Sequence, residues 1–225
     1  MTLYAWLMLG SLLGPLALSF DKKVAFYKWW PALFAGIAVN MVLFILWDSW
    51  FTVNNVWAFN ESYVWPLRWL HLPLEEWSFF IVVPYASIFI YACIKSYFSD
   101  KWWQKKVSFF NNFFIVLCLL GIIFFSDKTY TLVNLSIALV LLLLHEFWFK
   151  TSYMGYFWFA YFVHLIPFFI VNGVLTGAVT PKPVVWYNPE EIIGLRIVSI
   201  PIEDTIYALT CLLLPISILE YLKTK

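Results

Sequence analysis

Charge is what this chain has least of. Only 12% of its 225 residues are Asp, Glu, Lys or Arg, the net charge is +1, and 63% are hydrophobic. A soluble domain carries about 25% charged and about 45–50% apolar residues, so this composition excludes a water-exposed globule and indicates a polytopic membrane protein. The near-zero charge balance gives no footing to a nucleic-acid or acidic partner. Cysteine is also sparse: Cys93, Cys118 and Cys211 fall in apolar runs without a partner at metal-ligand spacing. They read as small core residues and indicate no redox compartment. None of the eight glycines makes a G-x-G-x-x-G phosphate fingerprint, which argues against a flavin or nicotinamide site of that type. The last apolar run has no lysine before Lys223, against a retinal Schiff base, and His145-Glu146 lacks the second histidine of a zinc-protease helix. His71 and His164 stand alone and read as structural, His71 being the better placed for a site. No cofactor and no metal is expected.

What the chain has instead is apolar length. A helix needs roughly 20 mostly apolar residues to cross the hydrocarbon core. Seven such segments lie near 2–20, 31–47, 77–97, 107–125, 130–148, 155–173 and 203–222. The first lacks a basic n-region and an Ala-x-Ala cleavage site, so it reads as a span. Pro15, Pro84, Pro167 and Pro215 fall inside spans, where neighbouring helices can re-satisfy freed backbone groups. The expected fold class is all-α integral membrane with seven transmembrane helices. Ten lysines (22, 23, 28, 95, 101, 105, 106, 150, 223 and 225) fall on one side, against Arg68, Lys128, Lys182 and Arg196 on the other. By the positive-inside rule the C-terminus is cytoplasmic and the N-terminus outside, in the cell membrane.

Two connections are long, about 48–75 and 174–202, and each runs into a proline followed by paired acids. These are Pro73-Leu74-Glu75-Glu76 and Pro201-Ile202-Glu203-Asp204. Loops of this length usually carry function or form a cap. The connections align at a constant offset of 128: Phe59 with Tyr187, Asn60 with Asn188, Arg68 with Arg196, Pro73 with Pro201, Glu75 with Glu203, and Glu76 with Asp204. Spans one to three (1–106) and five to seven (130–225) then form two halves, with span four (107–129) as linker. The linker restores direction, so the halves run parallel, a 3+1+3 repeat about an axis along the membrane normal. Such a repeat brings the four carboxylates to equivalent depths near the outer face.

A single Pro-x-acid-acid segment is an ordinary helix start, with proline in the first turn and carboxylates at the positive end of the dipole. Repetition in register, an arginine five residues upstream in both copies, and a position at a span entrance shift the balance towards function. Crowded carboxyls in a dry site resist joint ionisation. One acid and one base side by side is the equipment for proton transfer. One turn further on stand Phe79, Phe80 and Tyr207. Each is by itself more simply a packing residue, yet aromatic faces attract cations by about 2 kcal/mol or more when desolvated. The combination suits protonation of an alkene, retention of a carbocation and removal of a proton. Asp48 and Asn172, at the outer ends of spans two and six, are placed to face such a site, a few residues out of strict register.

The stretches VWAFN, LRWLHLPLEEWSFFIVVP and VVWYNPEEIIGLRIVSIPIEDTIY resemble the membrane-integral lycopene cyclases of the lycopene cyclase domain family. The likeness is to the form in which the two halves of the heterodimeric-type enzymes are fused in one chain. The resemblance implies an intramolecular lyase or isomerase of carotenoid biosynthesis that cyclises ψ end groups of lycopene, without redox change, most simply to β-rings. In that mechanism an acid protonates C2, the C5=C6 bond attacks the C1 cation, and a base removes the C6 proton. The resemblance implies that acid and base lie among Glu75, Glu76, Glu203 and Asp204. Arg68 and Arg196 would orient or charge-balance them, with Asn60, Asn188, Tyr207, Phe79 and Phe80 in supporting or substrate-binding roles. The implied partners are lycopene or a related linear carotene and membrane lipid, and a homo-oligomer is compatible. Competing classes are a proton-coupled small-solute transporter, which also uses 3+1+3 repeats, and a pigment-binding structural protein. The sequence does not choose among β, ε and γ rings, nor which carboxyl is the acid.

Overall fold

The protein is described from a computed structural model covering residues 1–149 and 151–224; Lys150 and Lys225, two of the lysines counted above, lie outside the described residues. Hydrocarbon offers no partner for a bare peptide group, so the apolar runs must close their hydrogen bonds internally, as helices. They do so as α1 (Leu3–Leu18), α2 (Trp30–Val53), α3 (Leu74–Tyr97), the single turn α4 (Lys101–Gln104), α5 (Val107–Phe124), α6 (Thr129–Leu143), α7 (Met154–Leu175) and α8 (Glu203–Lys223). α6 runs on through a π-helical turn, Leu144–Phe149. Helices α2, α3, α5, α6 with its extension, α7 and α8 are long and apolar enough to cross a membrane, an all-α membrane architecture. Six helices meet that test where seven were expected. The first, α1, has 16 residues, about 24 Å at 1.5 Å per residue, against a hydrocarbon core of about 30 Å.

The long connections are short strands folded over one end of the bundle. β1 (Trp57–Phe59) pairs antiparallel with β4 (Val185–Tyr187), joining the two connections, and Ala58 sits opposite Trp186. Those two residues are themselves 128 apart. Asn60 donates its backbone N–H to Val184 O and Asn188 donates to Val56 O, both at 2.9 Å. Two hairpins follow, β2 (Arg68–Trp69) with β3 (Leu72–Pro73), and β5 (Arg196–Ile197) with β6 (Ile200–Pro201). Arg68 lies opposite Pro73 and Arg196 opposite Pro201. Each hairpin delivers the chain into a helix whose first turn carries the acid pair.

Helix α1 packs on α3, α6 on α8, α2 on α8, and α7 on α3. Phe109, Phe113, Leu120, Ile123, Ile166 and Ile170 point outward, as lipid-facing residues do. At the end away from the strands, Lys95 Nζ meets both oxygens of Glu220 at 2.8 and 2.9 Å. There also Lys223 lies over Trp29 and Lys23 over Tyr97, so these lysines gather at one end of the bundle. The α2–α8 contact is close: a Cβ at Gly36 would fall 2.7 Å from the Pro215 carbonyl oxygen. Gly36→Ala is therefore expected to force the helices apart and cost about 1–3 kcal/mol. The measurement is the thermal midpoint in detergent; an unchanged midpoint would mean that the pair separates without penalty.

Candidate active site

The second acid of each pair turns inward. Glu76 and Asp204, from the first turns of α3 and α8, line one pocket of about 30 Å³. They are 6% and 2% exposed. Trp57, Phe59, Tyr187 and Val185 roof the pocket from the strands, and Tyr4, Tyr130, Phe79 and Tyr207 enter from the helices. Asp204 is held by three donors. Tyr130 donates to Oδ1 at 2.5 Å, and Asn172 Nδ2 and the Tyr187 hydroxyl donate to Oδ2 at 2.7 and 3.0 Å. Burial, reinforced by the Asp204 charge, pushes the Tyr187 phenol well above its usual range, so it remains a donor. Glu76 has one such partner, the Tyr4 hydroxyl, 2.7 Å from Oε2.

The first acid of each pair points elsewhere, because successive residues on a helix are about 100° apart. Glu75 Oε1 accepts from Thr2 Oγ1 at 2.6 Å and from the Trp65 backbone N–H at 2.9 Å. Glu203 Oε1 accepts from Thr131 Oγ1 at 2.8 Å and from the Ile193 N–H at 2.6 Å. These carboxylates tie the strand-bearing loops and the neighbouring helices α1 and α6 to the helix starts. Glu75 and Glu203 thus anchor the roof, while Glu76 and Asp204 face the space beneath it.

A second cavity of about 230 Å³ adjoins the first, sharing Phe79, Phe168 and Asn172. It lies between α1, α3 and α7 and is lined by Pro15, Val83, Ile90, His164 and Val171 among others. Its walls are almost wholly apolar. An aromatic pocket with two carboxyls beside an apolar cavity suits a hydrocarbon ligand. A family model described as lycopene cyclase matches residues 1–94 and 127–222. The chain belongs to the lycopene cyclase family. No curated relative and no solved structure matches it.

As a member of the lycopene cyclase family the protein is an enzyme of carotenoid cyclisation working in a membrane, on a carotenoid substrate. The two matched segments each contain one acid pair. Of the residues marked from sequence, Glu76, Asp204, Phe79 and Tyr207 come together at the pocket, and Asn172 joins them. The arginines do not. Arg68 pairs with Glu61 at the surface and lies 5.8 Å over the Phe59 ring, and Arg196 donates to Ser199 O. Each sits on the hairpin strand preceding its helix, which turns the long side chain outward, so neither balances the carboxylates. Among the described residues no ion pair reaches any of the four acids. Asn60 Nδ2 donates to Pro183 O and Asn188 Nδ2 to Asn55 O, stitching the roof rather than the pocket. Phe80 is buried against Phe44 in the packed interior. His71 is exposed in the β2–β3 turn, while His164 lines the apolar cavity.

Tyr4, Tyr130, Tyr187 and Trp57 were not singled out from sequence as site residues. Tyr4 and Tyr130 make matching contacts to Glu76 and Asp204 but lie 126 residues apart, off the 128 register. The Phe59–Tyr187 match did point to the roof. Glu203→Ala would leave the Ile193 N–H and the Thr131 hydroxyl without their acceptor, a loss of about 1–3 kcal/mol. It should appear as a lower thermal midpoint and faster proteolytic cleavage in the loop around Ile193. Native resistance to protease would remove Glu203 from this anchoring role.

Proposed function

We propose that the protein is a lycopene cyclase that converts ψ end groups of lycopene, or of a related linear carotene, into β-rings by acid–base catalysis. The observation that carries this reading is the placing of Glu76 and Asp204 around one aromatic pocket, beside an apolar cavity that shares Phe79, Phe168 and Asn172 with it. An end group reaching the pocket along α1, α3 and α7 meets a carboxyl on either side. One carboxyl gives its proton to C2. The C1=C2 electron pair forms the new C–H bond and leaves a tertiary cation at C1. The C5=C6 pair then closes the C1–C6 bond and moves the charge to C5, and the other carboxylate removes the C6 proton to restore C5=C6. One proton enters and one leaves, so the product is an isomer of the substrate, and return of the proton from one carboxyl to the other resets the site. An isomerase, or intramolecular lyase, is the corresponding class.

The residues supply what such a cation needs. The faces of Trp57, Tyr207 and Phe79 surround the pocket, and each face in contact with a desolvated cation contributes about 2 kcal/mol. The strands over the pocket would keep from the cation the water that could capture it as an alcohol. The carboxylate left after proton donation sits at the positive end of its helix, worth about 0.3–2 kcal/mol.

The same reading takes α1 as a seventh span and the chain as a parallel 3+1+3 repeat, with halves 1–106 and 130–225 and α5 within the linker 107–129. Contacts recurring at an offset of 128 and the family match on two segments support it. The lysine-rich end would face the cytoplasm, and the acid pockets would lie towards the outer face of the cell membrane. No observation favours a proton-coupled carrier.

Expressed in a host that accumulates lycopene, the chain should convert it to products with β-rings. Unchanged lycopene beside well-folded protein would sink the reading. Glu76→Gln and Asp204→Asn are each expected to lower turnover by about 10²–10⁴ with the helices intact by circular dichroism. Native rates in both would take these residues out of the reaction.

A further inference from the structure

The two arginines that stay out of the acid pocket belong to hairpins with an unusual surface. Leu67, Trp69 and Leu70 stand at the first, β2–β3, and Leu195, Ile197 and Val198 at the second, β5–β6. All six are exposed, Val198 by 86%. Each residue of the first set lies 128 before its counterpart in the second. The turns are also strained. Leu70, His71 and Val198 have φ of 49°, 66° and 60°, a left-handed conformation that bulky and β-branched residues rarely adopt. Two-residue hairpin turns take Asn, Asp or Gly there without strain. Both halves instead hold a bulky aliphatic at the strained position and leave it uncovered. Between 64 and 73, and again between 192 and 201, the only charged residue is Arg68 or Arg196.

The depth of the hairpins follows from the helices they feed. Lys95 and Lys223 mark the opposite end of the bundle. Leu74 to Lys95 is 21 residues and Glu203 to Lys223 is 20, about 32 and 30 Å at 1.5 Å per residue. The hydrocarbon core is about 30 Å thick, and the headgroup layers add about 5–7 Å on each side. With the lysines in one headgroup layer, the hairpins lie in the other. Trp69 stacks on Trp77 of the first turn of α3, ring centroids 4.3 Å apart, and Trp77 Nε1 donates to Trp69 O at 3.1 Å. Indoles collect at that level of a bilayer. We propose that the two hairpins are wedges whose partner is the lipid headgroup layer. Their aliphatic and indole side chains enter it, and Arg68 and Arg196 stand at the phosphates. Arg68 gives Nη2 to Glu61 and Arg196 gives Nη1 to Ser199 O, which leaves each guanidinium further donors for a phosphate. The same segments hold the roof: Trp65 and Ile193, five residues before Leu70 and Val198, donate their N–H groups to Glu75 and Glu203. Lipid contact thus supports the roof from outside while the acids hold it from within. The inference needs the membrane and not the cyclase reaction.

The test uses nanodiscs of phosphatidylcholine and phosphatidylglycerol, where both faces meet solution. Leu70→Cys and Val198→Cys, each made with Cys93→Ala, carry an environment-sensitive dye. Glu190→Cys, in the exposed turn after β4, is the reference. Lipid with a nitroxide near its carbonyl end should quench the dyes at 70 and 198 at least about threefold more than the reference, and iodide about threefold less. Iodide quenching equal to the reference would overturn the proposal. So would cross-linking of two copies through unlabelled Val198→Cys with no nitroxide quenching of the dye, since the tip would then cover a second copy. Leu70→Asn and Val198→Asn give a second reading without a dye. Asn visits the left-handed conformation readily, so a turn that only joins strands would tighten, and protease would cut near Ile193 more slowly. A wedge that has lost its lipid contact loosens the roof, and cutting in the nanodisc should speed up at least about threefold. Slower or unchanged cutting would overturn the proposal, whereas Val198→Leu should be cut at the native rate.

Discussion

Burying a carboxylate without a cation is among the most expensive things a protein can do, and this one buries Asp48, Glu75, Glu76, Glu203 and Asp204 at one end of its bundle. What replaces the missing cation is a set of neutral donors and two helix N-termini. Thr2, Thr131, Tyr4, Tyr130, Tyr187 and Asn172 each spend a polar hydrogen on one of these acids, and hydrogen bonds to charged groups are worth about 1.5–3 kcal/mol each. The roof exists in this form because two backbone amides, of Trp65 and Ile193, must arrive at Glu75 and Glu203. The β1–β4 ribbon then fixes the two loops against each other so that both arrive together. A lysine or arginine in the pocket would satisfy the acids more simply, but it would repel the carbocation on which the proposed reaction depends.

That constraint explains why some of the site was legible in the sequence and some was not. The Pro-x-acid-acid pairs are local and short, and the strands fix their depth, so they stood out without knowledge of the fold. Sequence could not divide each pair into an inward and an outward acid. The 100° step between Glu75 and Glu76 has meaning only once one knows which side of α3 faces α8. The arginines misled for a related reason. A charge seven residues before a buried acid suggests an ion pair, but the two-residue hairpin between them reverses the chain and sends Arg68 to Glu61 and Arg196 to Ser199 O. The phenols were hidden by their separation: Tyr4 and Tyr130 reach the acids from α1 and α6, 126 residues apart and so off the 128 offset, among largely interchangeable aliphatics.

The spans themselves were read from apolar length and fell within a few residues of the helices, with Pro15, Pro84, Pro167 and Pro215 all inside them. The first was the exception. The segment 2–20 is mostly apolar, yet the helix stops at Leu18, where the Ser19 hydroxyl turns back to the Pro15 carbonyl. At its other end Thr2 already belongs to the acid site. A helix pinned at both ends by polar work has less length to give to the membrane.

The proposed internal repeat poses a chemical problem, because two equivalent carboxyls cannot be told apart as donor and acceptor of a proton. The differences between the halves bear on that problem, and they are steric as well as electrostatic. Between α1, α3 and α7 the helices leave a cavity, whereas α2 and α8 close to the point where Gly36 meets the Pro215 carbonyl, and Phe44, Trp47 and Tyr207 pack ring on ring. In the proposed reaction a chain-like substrate would come from that cavity, past Phe79 and Phe168, which line both spaces. Phe59 stands against Tyr187, and the single hydroxyl at Glu76 stands against the three donors at Asp204, so the two sides of the pocket are also furnished differently. In the proposed reaction, orientation of the substrate and direction of the proton would be separate asymmetries, and each would be useless without the other. A symmetric channel would present either face of the end group to the acid, and a symmetric pair of carboxyls would share the proton instead of passing it on.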